Sequence, residues 1–127
     1  MSASDPVHQY WNCLQDRDWD GVAAVLSDDI VVDWPATGER ITGRTNFVRV
    51  NSEYPEGWSI KIRSVIDQGN QAASDVEVPM EGVGVFRVGS FWTVHQGLIV
   101  SGVEYFIQVA GDERPQWRHN ISERLID

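Results

Sequence analysis

The hydrophobic period of this chain changes to two from Trp58 onward, and that change constrains the fold more than any other feature. Before it, apolar residues recur at helical spacing: Val7, Tyr10, Trp11 and Leu14 stand at i, i+3, i+4 and i+7. After it the period is two, in "WSIKIRSVI", "QAASDVEVPM", "GVFRVGSFWTV" and "LIVSGVEYFIQVA". Helices followed by a run of strands imply an α+β domain, with about three N-terminal helices packed on one face of a strongly curved, mostly antiparallel sheet. Such a sheet closes around a cone, and the cone is a natural pocket. At 127 residues a single domain over 1–127 is expected, with its core at about 5–118 and a polar tail at 111–127.

Local signals place the elements. "SDP" supplies a capping residue and a first-turn proline for a helix at about 5–17. Asp18 caps a short second helix with an apolar face of Trp19, Val22, Ala23 and Leu26. "IVVDWP" is a strand stopped by Pro35, and residues 36–43 read as a turn or small hairpin. "RTNFVRVNSEY" is a third helix, capped by Thr45 and ended before Pro55. Pro79 belongs near a strand end or edge.

Charge narrows the partners. There are 19 acidic and 10 basic residues, a net charge of −9, which repels nucleic acid and anionic membranes alike. The apolar runs are too short for a membrane span, and the first residues lack the basic and apolar regions of a signal peptide. One cysteine, Cys13, forms no internal disulfide and reads as a buried small hydrophobe. A cytoplasmic protein is the expectation. His8, His95 and His119 are isolated, without metal-ligand spacing, so neither metal nor cofactor is expected.

Three stretches carry a family resemblance. "YWNCLQDRDWDGVAAVLSDDIVVDWP" is similar to the opening of the SnoaL-like, or nuclear transport factor two-like, superfamily; "WPATGERITGR" and "EYF…ERPQWR" resemble a bacterial SnoaL-like subgroup. The resemblance spans about residues 7–118. It implies the fold, and a range of functions: isomerases, epoxide hydrolases, polyketide cyclases, dehydratases and plain binding subunits. Carried over from the ketosteroid isomerases, Tyr10 matches the first-helix tyrosine that donates to the oxyanion. Trp34 stands where the general base would be, and Ser90 falls near the second donor. The resemblance therefore argues against steroid isomerisation by that mechanism. The Asp-Arg-Asp set of limonene epoxide hydrolases is not recognisable. Laid over "GLIVSGVE", the last-strand carboxylate of SnoaL-type cyclases falls on Glu104, with Gly102 in place of the neighbouring histidine.

Glu104 is thus the main catalytic candidate, with Tyr10 beside it. Its strand has one face of Leu98, Val100, Gly102, Glu104 and Phe106 and another of Ile99, Ser101, Val103, Tyr105 and Ile107. Composition alone favours the second face as core. A three-residue loop at His95-Gln96-Gly97 puts Trp92 and Glu104 on one face, toward the cone; a two-residue turn would reverse that. Inside the cone, burial would raise the Glu104 pKa toward the range useful for acid/base work, whereas an arginine such as Arg40 or Arg118 would make it a structural ion pair. Trp34, Trp58, Trp92, Phe106, Leu14, Val78, Met80 and Ser90 are the expected substrate-binding residues. The apolar opposite face, in this superfamily commonly a dimer interface, implies a homodimer. Three functions stay open: a small-molecule enzyme acting on an apolar substrate, a non-catalytic binding protein, or an interaction module.

Overall fold

The computed structural model describes residues 2–125. Three helices, α1 (Ser4–Asp16), α2 (Trp19–Ala23) and α3 (Arg44–Ser52), pack on a six-stranded sheet of β1 (Leu26–Trp34), β2 (Glu39–Thr42), β3 (Lys61–Gln68), β4 (Gln71–Met80), β5 (Gly84–His95) and β6 (Leu98–Gln108). The strand order is β2-β1-β6-β5-β4-β3, and every neighbouring pair is antiparallel except β1 with β6. No helix among the described residues is long and apolar enough to cross a membrane.

Helix α1 buries Val7, Tyr10, Trp11 and Leu14, the residues its spacing picks out. Its start differs from expectation. Ala3 occupies the cap position without a side-chain bond, and the Ser4 N–H is satisfied by Asp67 of β3 at 2.9 Å. A tertiary carboxylate does what a local cap would do. Helix α2 does begin at Asp18, whose carboxylate accepts the Gly21 N–H at 3.0 Å. It is a single short turn, and Leu26 already belongs to β1. Helix α3 starts one residue before the expected cap at Thr45, because Gly43, at φ 93°, turns the chain into it. Trp58 makes one isolated bridge to Met80 rather than opening β3, which begins only at Lys61, after Ser59 and Ile60. Cys13 is half-buried, not buried.

The β5–β6 hairpin departs from the expected register and still reaches the expected faces. Its turn has two residues, Gln96 and Gly97, both at positive φ (51° and 78°), and His95 pairs with Leu98. This is the hairpin turn whose twist suits two strands. A bulge follows: Val94 pairs with Ile99 but Thr93 with Ser101, so Val100 is extra. The bulge reverses the alternation once, which cancels the effect of the shorter turn. Trp92 and Glu104 therefore share the inner face. Ile99 moves with the bulge: expected on the outer face, it is fully buried on the inner one.

The core lies between the helices and the inner face. Tyr10 stacks on Phe47 and meets Trp11 and Trp92 edge-on, with centroids 4.9 to 5.8 Å apart. Ser74 on β4 locks this cluster by accepting the indole N–H groups of Trp11 at 3.1 Å and Trp92 at 2.9 Å. The Trp92 ring lies across Gly102, where a Cβ would collide with it. That contact requires glycine at 102.

Candidate active site

Glu104 sits between two neighbours that the register dictates. Val32 on β1 pairs with Gly102, so Trp34, two residues on, stands beside Glu104 on the same face. On the other side Ser90 is the direct cross-strand partner of Glu104. The Trp34 indole N–H donates to Oε1 at 3.0 Å and the Ser90 hydroxyl to Oε2 at 2.9 Å. Glu104 is only 4 % exposed. Burial pushes its carboxyl above the ordinary glutamate value, and the two neutral donors offset part of that rise. Neither Arg40 nor Arg118 is its partner: Arg40 pairs with Asp33 on the outer face at 2.7 Å, and Arg118 belongs to the tail.

The carboxyl opens onto a cavity of about 420 Å³ under α1 and α3. Trp34, Phe106, Val78, Met80, Leu14 and Trp58 line it, as do Tyr10 and Glu104. Trp92 and Ser90 do not: Trp92 packs behind the wall against Tyr10, and Ser90 reaches the site through Glu104. Trp11, Asn51, Ile60, Phe86 and Val88 complete the walls, while Thr37, Glu39, Tyr54 and Val83 are exposed lining residues. The sequence carried a signal for some of these. Phe86 and Val88 alternate in step with Ser90 and Trp92, and Trp11 adjoins Tyr10. Nothing in it marked Asn51, which enters because α3 crosses over the cavity.

Tyr10 is buried, and its hydroxyl pKa lies well above the ordinary tyrosine value. Desolvation is the main cause and the charge of Glu104 the second; a hydrogen bond with the Asn51 side chain works in the other direction. Tyr10 is therefore a neutral hydrogen-bond donor at working pH. The site combines one buried proton acceptor, one phenol donor and a mostly apolar wall. Among the described residues there is no group of three metal-ligating side chains, and the three histidines are exposed. Arg17, which stacks on the Trp58 ring at 3.4 Å, is committed to Glu56 and to the carbonyls of Leu14, Gln15 and Trp58.

Residues 7–102 match the SnoaL-like domain family. Among solved structures, a Kribbella flavida protein that carries the name of a ketosteroid isomerase is 29% identical, with a TM-score of 0.89 over 98% of this chain and 90% of its own. An NTF2-like protein of unknown function from Burkholderia xenovorans is 24% identical (TM-score 0.78, covering 97% and 94%). An LEH-like epoxide hydrolase from M. tuberculosis is also 24% identical (TM-score 0.71, covering 83% and 82%). The last two likenesses concern the fold. No curated protein matches the sequence.

Proposed function

The chain belongs to the SnoaL-like domain family, and on that premise we propose that it is a small-molecule enzyme using Glu104 as general acid/base on a largely apolar substrate. One observation carries this reading: a buried carboxyl, held among the described residues by two neutral donors and no cation, faces a cavity it shares with a buried tyrosine. A carboxyl kept only to hold the fold would be expected to meet an arginine. Trp34 and Ser90 fix both oxygens and leave lone pairs for a proton.

The chemistry that needs no more than this is proton transfer at a carbon next to a carbonyl. The Glu104 carboxylate takes the proton, and the electron pair moves onto the carbonyl oxygen. The Tyr10 hydroxyl stabilises that developing charge by hydrogen bonding, and Glu104 returns the proton to the same or a neighbouring carbon. In a dehydration Glu104 would take the carbon-bound proton and return it to the hydroxyl that leaves as water. In an epoxide opening it would take a proton from a water attacking the ring carbon and pass it to the ring oxygen held by Tyr10. The test is deuterium incorporation into cyclic ketones in D₂O, followed by NMR. Enzyme-dependent exchange that disappears in Glu104→Gln supports the reading; exchange unchanged in that variant contradicts it.

A second reading, a binding protein that does not transform its ligand, draws on Gly102. Trp92 fills the space beside it, so no side chain at 102 assists Glu104.

The outer sheet face supports a separate proposal, that two copies associate through it. Ile66, Phe91, Tyr105 and Ile107 are between 51% and 66% exposed there, and monomeric proteins seldom leave such clusters in water. Ion pairs of Arg40 with Asp33 and of Arg87 with Asp75 flank the patch.

A further inference from the structure

The lining of the cavity is lopsided in charge. Among the described residues two carboxylates belong to it, Glu104 within and Glu39 at an exposed position, and no lysine, arginine or histidine does. The two stand on either side of one ring. Trp34 donates to Glu104 and is the register partner of Glu39 across β1 and β2. The remaining walls near them are aromatic: Phe106 meets Trp34 edge-on at 5.8 Å, and Tyr10, Trp58 and Phe86 line the same space. A buried carboxyl usually has its counter-charge supplied by the protein. Here the donors to Glu104 are an indole and a hydroxyl, both neutral.

We propose that the cavity recognises an organic ammonium ion: a ligand with an apolar body and a positively charged nitrogen seated between Glu104 and Glu39 against the Trp34 face. Aromatic faces attract a desolvated cation through their quadrupoles, and they do so for quaternary nitrogens that cannot donate a hydrogen bond. The two carboxylates add ordinary charge attraction in a setting where water screens it less than at the surface. The same features reject an anionic ligand. An ammonium ion at this place also holds Glu104 ionised, the form that accepts a proton from elsewhere in the ligand. The inference rests on the reading that Glu104 faces the ligand, and it does not require turnover.

Three probes of equal size and different charge test it on the full chain: benzyltrimethylammonium, the neutral 2-methyl-1-phenylpropan-2-ol, and the anionic phenylmethanesulfonate. Quenching of tryptophan fluorescence reports binding, since Trp34 and Trp58 line the cavity. The cation is expected to bind about tenfold or more tightly than the alcohol, and the sulfonate more weakly still. Glu39→Gln lies on an exposed strand position and leaves the core untouched; it should weaken the cation severalfold and leave the alcohol unchanged. Glu104→Gln should do the same more strongly. The proposal is overturned if the alcohol or the sulfonate equals the cation, if none of the three binds at millimolar concentration, or if both variants keep the preference. Deuterium exchange that depends on Glu104 without any charge preference would remove this inference and leave the acid/base reading standing. A charge preference without exchange would do the reverse.

Discussion

The indole of Trp34 donates to one oxygen of Glu104 across the parallel β1–β6 pair while Ser90 donates to the other across the antiparallel β5–β6 pair. The two donors stand on different neighbouring strands, so the register of the sheet fixes both oxygens of one carboxyl. Both direct their hydrogen atoms at a carboxyl on the last strand and leave its remaining lone pairs toward the cavity.

Removing one support should therefore be visible in the carboxyl. Trp34→Phe keeps an aromatic wall and deletes the N–H that favours the ionised form. The Glu104 pKa should rise further than in the parent, and the exchange activity should fall, with its pH dependence displaced upward. A hydrogen bond to a charged group is worth about 1.5–3 kcal/mol, so the rise should exceed one pH unit. An unchanged pH profile would show that Trp34 is merely wall.

Stability should respond to pH at Glu104 with a definite sign. Its folded pKa is raised above the ordinary value of 4.5, so the native state binds the proton more tightly than the unfolded chain. Stability from this group is then fully present below the unfolded pKa and is lost as pH rises through the folded pKa. Glu104→Gln removes that slope. Its amide oxygen can accept from Trp34 while its NH₂ donates to a reoriented Ser90 hydroxyl. The variant should gain stability relative to the parent between pH 4.5 and neutrality, measured as the difference in urea midpoint at several pH values.

Gly102 should tolerate nothing larger. A methyl group there collides with the Trp92 ring, which Ser74 holds in place. Gly102→Ala should cost about 1–3 kcal/mol, the usual range for overpacking a filled core. Ser74→Ala should cost a comparable amount or more, because it leaves two buried indole N–H groups without partners. Chemical denaturation measures both.

Charge placed on the outer face should separate the proposed dimer. Phe91→Glu and Ile107→Lys alter residues that are exposed in the single chain, so folding should persist while the sedimentation coefficient drops to the monomer value. A parent protein that sediments as a monomer at micromolar concentration contradicts the dimer.

Much of this was legible in the sequence, and the misses have identifiable causes. Helical spacing in α1 and strict alternation in β4 and β5 place Tyr10, Val78 and Met80 directly, since one side of each element had to be buried. The β5–β6 hairpin shows the limit. Its turn is a residue shorter than expected and the bulge at Val100 makes up the difference, and a bulge leaves no mark in an apolar run such as "GLIVSG". The face of Glu104 followed from two compensating errors in register, while Ile99 exposed one of them. Asn51 and Tyr54 were invisible for another reason. They reach the cavity through the packing angle of α3 and the loop after it, which sequence periodicity does not encode.

The central claim is that Glu104 is a proton-exchanging carboxyl facing an apolar cavity, and its titration tests that most directly. With the glutamate side-chain carboxyl carbons labelled, the Glu104 signal can be assigned by its loss in Glu104→Gln and followed through a pH series by ¹³C NMR. A midpoint clearly above 4.5 is the predicted result; a midpoint at or below that value would mean a carboxylate held ionised by its surroundings, and would contradict it.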